Sequence, residues 1–122
     1  MKVIKLQTNP NTYSSNVYLL RGEWNRIEDV NAVIDTGSDA WYLTEIKKTN
    51  TGVGKKQIEK VLLTHTHFDH TGGLMALKLE FNPEILAANM ITGVSRLFKQ
   101  NEIMRIGESF MEVIHTPGHS SD

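Results

Sequence analysis

Apolar residues recur along the chain in short runs separated by polar, turn-forming stretches. Val3-Ile4-Lys5-Leu6, Val17-Tyr18-Leu19-Leu20 and Val30-Asn31-Ala32-Val33-Ile34 are strand-like, and Asn9-Pro10-Asn11 and Arg21-Gly22-Glu23 punctuate them. Together they predict three early strands in a meander. Residues 40–48 and 55–60 have helical composition, and the second stretch leads directly into an apolar run at 61–64 that reads as a short buried strand. Gly72-Gly73 follow in a loop before a helix at 74–81, with a strand at 84–88, a helix at 91–99 and closing strands at 103–106 and 110–116. No internal repeat or low-complexity linker interrupts this alternation, which predicts an α/β layer arrangement with mixed strand directions.

Composition narrows the possibilities. A chain of 122 residues with 39% hydrophobic and 22% charged content accommodates one domain with a real core, spanning 1–122, and not two. A formal net charge of −1 leaves no electrostatic footprint for nucleic acid or anionic lipid, and Lys47-Lys48 and Lys55-Lys56 read as solvated loop charges. No apolar stretch approaches the roughly 20 residues of a membrane span, and the polar start is unlike a signal sequence. The absence of cysteine is compatible with a reducing cytoplasm, the expected location, and means that any metal must sit on nitrogen and oxygen.

The candidate chemistry begins where the strand at 61–64 ends. His65-Thr66-His67-Phe68-Asp69-His70 puts four potential metal ligands within six positions. With five His in the chain, a chance match to this pattern has odds of about three in ten thousand, so the string is specific. In an extended segment His65 and His67 point the same way and can share one cation at about 2.0 to 2.1 Å, whereas Asp69 and His70 follow after the chain turns. Two pairs on two sides favour two ions. A third imidazole can come from His115-Thr116-Pro117-Gly118-His119, where Pro117-Gly118 forces a turn that swings His119 back. A single histidine is ordinarily structural, but here every histidine of the chain falls in these two segments.

The run Val61-Leu62-Leu63-Thr64-His65-Thr66-His67-Phe68-Asp69-His70-Thr71-Gly72-Gly73-Leu74 resembles the signature loop of the metallo-β-lactamase superfamily. Thr116-Pro117-Gly118-His119-Ser120 resembles its second histidine motif, and Asp35-Thr36-Gly37 its early Asp-Thr-Gly element. The resemblance implies an αβ/βα sandwich with one or two zinc, iron or manganese ions at one edge of the sheets. It implies His65, His67 and His119 on the first metal, Asp69 and His70 on the second, and Asp35 as a supporting residue. His115 is given a structural role at its strand end. The implied reaction is hydrolysis, with metal-bound hydroxide attacking an ester-like, thioester, lactam or phosphodiester bond and Asp69 orienting the water. Gly72 and Gly73 support the site by letting the next helix start close to the metals, its N-terminal dipole favouring negative charge. His67 stands where a glutamate marks the flavin-linked diiron branch, which argues against that branch.

The family's pattern continues beyond Ser120-Ser121-Asp122 with strands supplying a bridging aspartate and a last histidine. The chain is therefore expected to be an incomplete, N-terminal half of the domain, truncated to the first sheet with its helices. Its second metal site should be incomplete, and its catalysis impaired or absent. Without a second sheet, Val17, Leu19, Val33 and Leu62 would form an exposed patch, and a homodimer would cover it. An alternative reading takes Ala32-Val33-Ile34-Asp35-Thr36-Gly37-Ser38 as the active-site turn of a homodimeric aspartic protease. That reading leaves the five histidines unexplained. A small-molecule substrate is expected, of a class that nothing in the sequence selects.

Overall fold

A computed structural model describes residues 1–49 and 57–122. Six strands form one sheet in sequential order: β1 (Lys2–Leu6), β2 (Val17–Arg21), β3 (Ala32–Ile34), β4 (Lys60–Leu62), β5 (Glu84–Ala87) and β6 (Arg96–Leu97). The first three pair antiparallel, as a meander should, and β3 to β6 run parallel. A separate hairpin consists of β7 (Ile103–Ile106) and β8 (Ser109–Glu112). Among the described residues, three helices complete the elements: α1 (Leu43–Lys48), α2 (Phe68–Thr71) and α3 (Leu74–Phe81). None of the described helices is long and apolar enough to cross a membrane.

The period-two side-chain alternation of strands sorts the core into two halves. Val17 and Leu19 of β2, Val33 of β3, Val61 of β4 and Ile85 and Ala87 of β5 face one cluster, closed by Tyr42, Ile46, Leu74, Leu77 and Phe81 from α1, α3 and their approaches. Leu20, Ala32, Leu62 and Leu86 face the other side, where Met104 and Ile106 of the hairpin lie over them. Because β4 and β5 are buried on both faces, they read as unbroken apolar runs, as parallel strands do. Fully burying each such side chain contributes about 1.5–3 kcal/mol.

This arrangement corrects the expected exposed patch. Val17, Leu19 and Val33 are 0% exposed under the helices, and Leu62, at 9%, faces the hairpin. The β7–β8 hairpin is a separate two-stranded sheet that lies over this face. It docks through mutual Val30 and Gly107 backbone hydrogen bonds, with N···O distances of 3.0 and 2.6 Å. Gly107 has φ +60 at the first position of the two-residue turn between Ile106 and Ser109, where glycine suits a type II′ hairpin.

The helix expected at 91–99 does not form. A turn at residues 91–94, with Gly93 at φ +101, breaks the periodicity, and Arg96–Leu97 joins the sheet instead. The Ser95 N–H donates to the Ile85 carbonyl and the Phe98 N–H to that of Ala87, each at 2.8 Å. Of the helix expected at 55–60, residues 55 and 56 lie outside the described residues; 57–59 are irregular and Lys60 opens β4. The strands expected at 61–64 and 110–116 are shorter, at 60–62 and 109–112, and the helix within 40–48 begins only at Leu43.

Candidate metal centre

Strand β4 ends at Leu62, and the chain emerging from it carries Thr64 to His67 along the sheet's edge before α2 makes a single helical turn. Asp69 and His70 thus stand on a helix and not, as expected, on a loop. The imidazoles of His65, His67, His70 and His119 converge: His65 lies 4.6 Å from His67, 4.0 Å from His70 and 5.1 Å from His119 between ring centroids. One donor nitrogen from each of His65, His67 and His119 falls within 4.8 Å of the others, and among the described residues no other group of three or more His or acidic side chains converges so closely. His119 reaches this position through the Pro117-Gly118 turn, in which the Gly118 N–H donates to the Ser120 carbonyl at 2.9 Å. His115 stays outside, its Nε2 3.3 Å from the Ser121 carbonyl.

Two observations fit this trio to a cation. His65 Nε2 is shielded from solvent and has no hydrogen-bond partner, an arrangement that costs free energy unless something accepts its lone pair. His119 Nε2 and His67 Nδ1 stand 3.2 Å apart. The edge of a nitrogen tetrahedron around zinc at 2.0 to 2.1 Å is about 3.3–3.4 Å. The proton affinity of His65 is lowered, first by burial and then by the neighbouring His70 and His67, with Asp35 partly opposing. That keeps a lone pair available for a metal.

Asp69 and His70 meet on the other side, with Asp69 Oδ2 3.5 Å from His70 Nε2. Asp35 lies beneath both groups, only 4% exposed. Its Oδ1 accepts the Thr64 N–H at 2.8 Å, while Oδ2 is 2.8 Å from the Thr64 hydroxyl and 2.7 Å from His70 Nδ1. The left-handed backbone at Asp35, φ +59, turns this carboxylate under the loop, and short polar side chains are among those that tolerate that conformation. The next residue completes the clamp: Thr36 donates to the His70 carbonyl through its N–H at 2.8 Å and its hydroxyl at 2.9 Å. The carboxylate of Asp35 is thus turned inward onto the histidine loop, which removes the geometric basis of the protease alternative.

Gly72 and Gly73 bring α2 and α3 against the loop at 36–39. A Cβ at Gly72 would lie 2.1 Å from the Ser38 carbonyl oxygen, and one at Gly73 2.3 Å from that of Thr36. Sequence reasoning missed Thr64 and Thr36. Both are hydroxyl residues adjoining a recognised motif residue, and that adjacency was the available signal.

A model of the metallo-beta-lactamase superfamily matches residues 10–102. A probable hydroxyacylglutathione hydrolase of Schizosaccharomyces pombe is 39% identical over 66 residues, covering 53% of this chain and 26% of its own. An atrochrysone carboxyl ACP thioesterase of Cryptosporiopsis sp. is 27% identical over 123 residues, covering 96% of this chain and 36% of its own. The chain thus spans about a quarter to a third of the length of these curated relatives. A subclass B3 metallo-β-lactamase of Bradyrhizobium japonicum shares the fold with a TM-score of 0.68 at 24% identity, over 87% of this chain and 47% of that one. The sheet with helices on one face, the loop leaving β4 and the family match across most of the chain agree, and the chain belongs to the metallo-β-lactamase superfamily.

Proposed function

We propose that this chain is a metal-dependent hydrolase with one principal ion site, His65, His67 and His119, acting on acyl-thioester or related ester-like bonds. The convergence of one imidazole nitrogen from each of His65, His67 and His119, with His65 Nε2 left without a hydrogen-bond partner, carries the reading. The thioester preference rests on the relatives' names, a hydroxyacylglutathione hydrolase and an ACP thioesterase. Lactam and phosphodiester substrates belong to the same proposal as further members of the test panel.

His65, His67 and His119 would hold a zinc ion, or iron or manganese in its place, which would supply Lewis acidity and favour deprotonation of water near neutral pH. Asp69, beside His70, would orient the attacking water, take its proton as the new C–O bond forms at the acyl carbon, and return it to the thiolate or alkoxide that leaves as the C–S or C–O bond breaks. His70, hydrogen-bonded to Asp35, holds its Nε2 toward Asp69. Beside the trio, a cavity of about 720 Å³ lined by Leu62, Phe98, Lys99 and Val113 gives room for a substrate body. Asp69 and His70 alone make a weak second site, so a single tightly held ion is expected.

Metal analysis after dialysis against dilute chelator should find one zinc per chain, and two tightly held ions would overturn the single-site reading. Hydrolysis of a thioester, lactone, lactam and phosphodiester panel should be abolished by chelator and restored by zinc. His65→Ala should lose both metal and turnover. A second reading, a metal-binding module without turnover, is favoured by the presence of only one three-donor group among the described residues. Full zinc occupancy with no hydrolysis of any substrate would establish it.

We also propose self-association. The outer face of the β7–β8 hairpin presents Ile103 and Phe110 at 69% and 68% exposure, and a second copy would cover it.

A further inference from the structure

We propose that Thr64 is a positioning residue that sets the tautomer of His65, and that its acceptor, Asp35 Oδ2, ties the three-histidine centre to the Asp69–His70 pair. The inference rests on the metal-hydrolase reading above. Thr64 Oγ1 lies 2.8 Å from Asp35 Oδ2 and 3.0 Å from His65 Nδ1. A carboxylate can only accept, so the single hydroxyl proton of Thr64 goes to Asp35. The hydroxyl oxygen must then accept from His65, which places the imidazole proton on Nδ1 and leaves Nε2 as a lone pair. That Nε2 is the His65 atom shielded from solvent and without a hydrogen-bond partner, in a residue whose ring belongs to the three-histidine group.

The same carboxylate oxygen receives His70 Nδ1 at 2.7 Å, and the other ring nitrogen of His70, Nε2, lies 3.5 Å from Asp69 Oδ2. Thr64 Oγ1 is also 3.4 Å from His70 Nδ1, which makes the two histidines neighbours around one hydroxyl and one oxygen. Outer partners of this kind fix ring orientation and ligand basicity, and their loss typically costs 10–100-fold in metal affinity. Asp35 serves both histidines, whereas the Thr64 hydroxyl stands between Asp35 and His65. Removing the hydroxyl should therefore act first on the three-histidine centre. The Thr64 N–H bond to Asp35 Oδ1, at 2.8 Å, survives any side-chain change and keeps the loop anchored.

The test compares wild type, Thr64→Val and Thr64→Ser. Two-bond proton–nitrogen correlation spectra of the imidazoles, recorded on metal-free protein at mildly alkaline pH, report each tautomer. Zinc affinity is measured in competition with a chromogenic chelator. Wild type and Thr64→Ser should hold His65 as the Nδ1–H tautomer. Thr64→Val should shift it toward Nε2–H and weaken zinc by about 10-fold, with Thr64→Ser restoring affinity. Retention of Nδ1–H in Thr64→Val overturns the proposal whatever the affinity. Failure of the wild-type chain to bind zinc would defeat the metal reading instead, and the tautomer comparison, which needs no metal, would still decide the role of Thr64.

Discussion

Within the site, single residues matter through contacts that leave no room for change. Gly72 and Gly73 have ordinary negative φ, so their smallness serves approach and not backbone freedom. Gly73→Ala sets a methyl 2.3 Å from one backbone carbonyl and 2.6 Å from another, which only a shift of α3 or of the 36–39 loop can relieve. Such overpacking should cost about 1–3 kcal/mol in chemical denaturation and weaken zinc binding in parallel. A variant as stable as wild type would show that the loop yields freely. The histidine string, whose rings the fold brings together, was legible at this scale because residue spacing is a local property of sequence. Thr64 and Thr36 were not, because their partners, Asp35 and His70, are 29 and 34 residues away and a lone hydroxyl has no periodicity.

Elements were legible where burial imposed a period and illegible where a few hydrogen bonds decided the outcome. The runs in β2 to β5 declare themselves by their apolar content. The segment 91–99 carries helical composition, yet sheet-edge bonds to β5 and the turn at Gly93 determine its structure. Its strand is then secured by charge: Arg96 bonds Glu84 at 2.8 Å through Nε and Glu102 at 3.1 Å through Nη1. The Arg96 guanidinium, helped by the Lys99 N–H, holds the Glu102 carboxyl at about 2, well below its ordinary 4.5. A depressed carboxyl stabilises the fold fully above its unfolded value and loses that contribution as pH falls toward the folded one. Glu102→Gln should therefore flatten the decline of melting temperature between about pH 4.5 and 2. Equal slopes in the two proteins would show that this ion pair contributes nothing to folding.

For the whole molecule, the alternation in β2 and β3 announced two different faces but could not say which one the helices cover. Assigning Val17, Leu19 and Val33 to the open side followed from that ambiguity, and only the placement of α1 and α3 resolves it. Exposed apolar side chains lie instead on the hairpin's outer side, at Ile103 and Phe110. Light scattering at high micromolar concentration should show a dimer that Phe110→Lys, at a 68% exposed position, converts to monomer. A clean wild-type monomer would refute the association. The pairing of His119 with His67 closes a loop of 52 residues, a far longer span than that between His65 and His67. Long-range contacts of this kind form late, because the entropy of closing the chain must be met before they give any return. An ion bridging those histidines would consequently act as a kinetic lock: zinc should slow the unfolding rate while leaving the refolding rate almost unchanged.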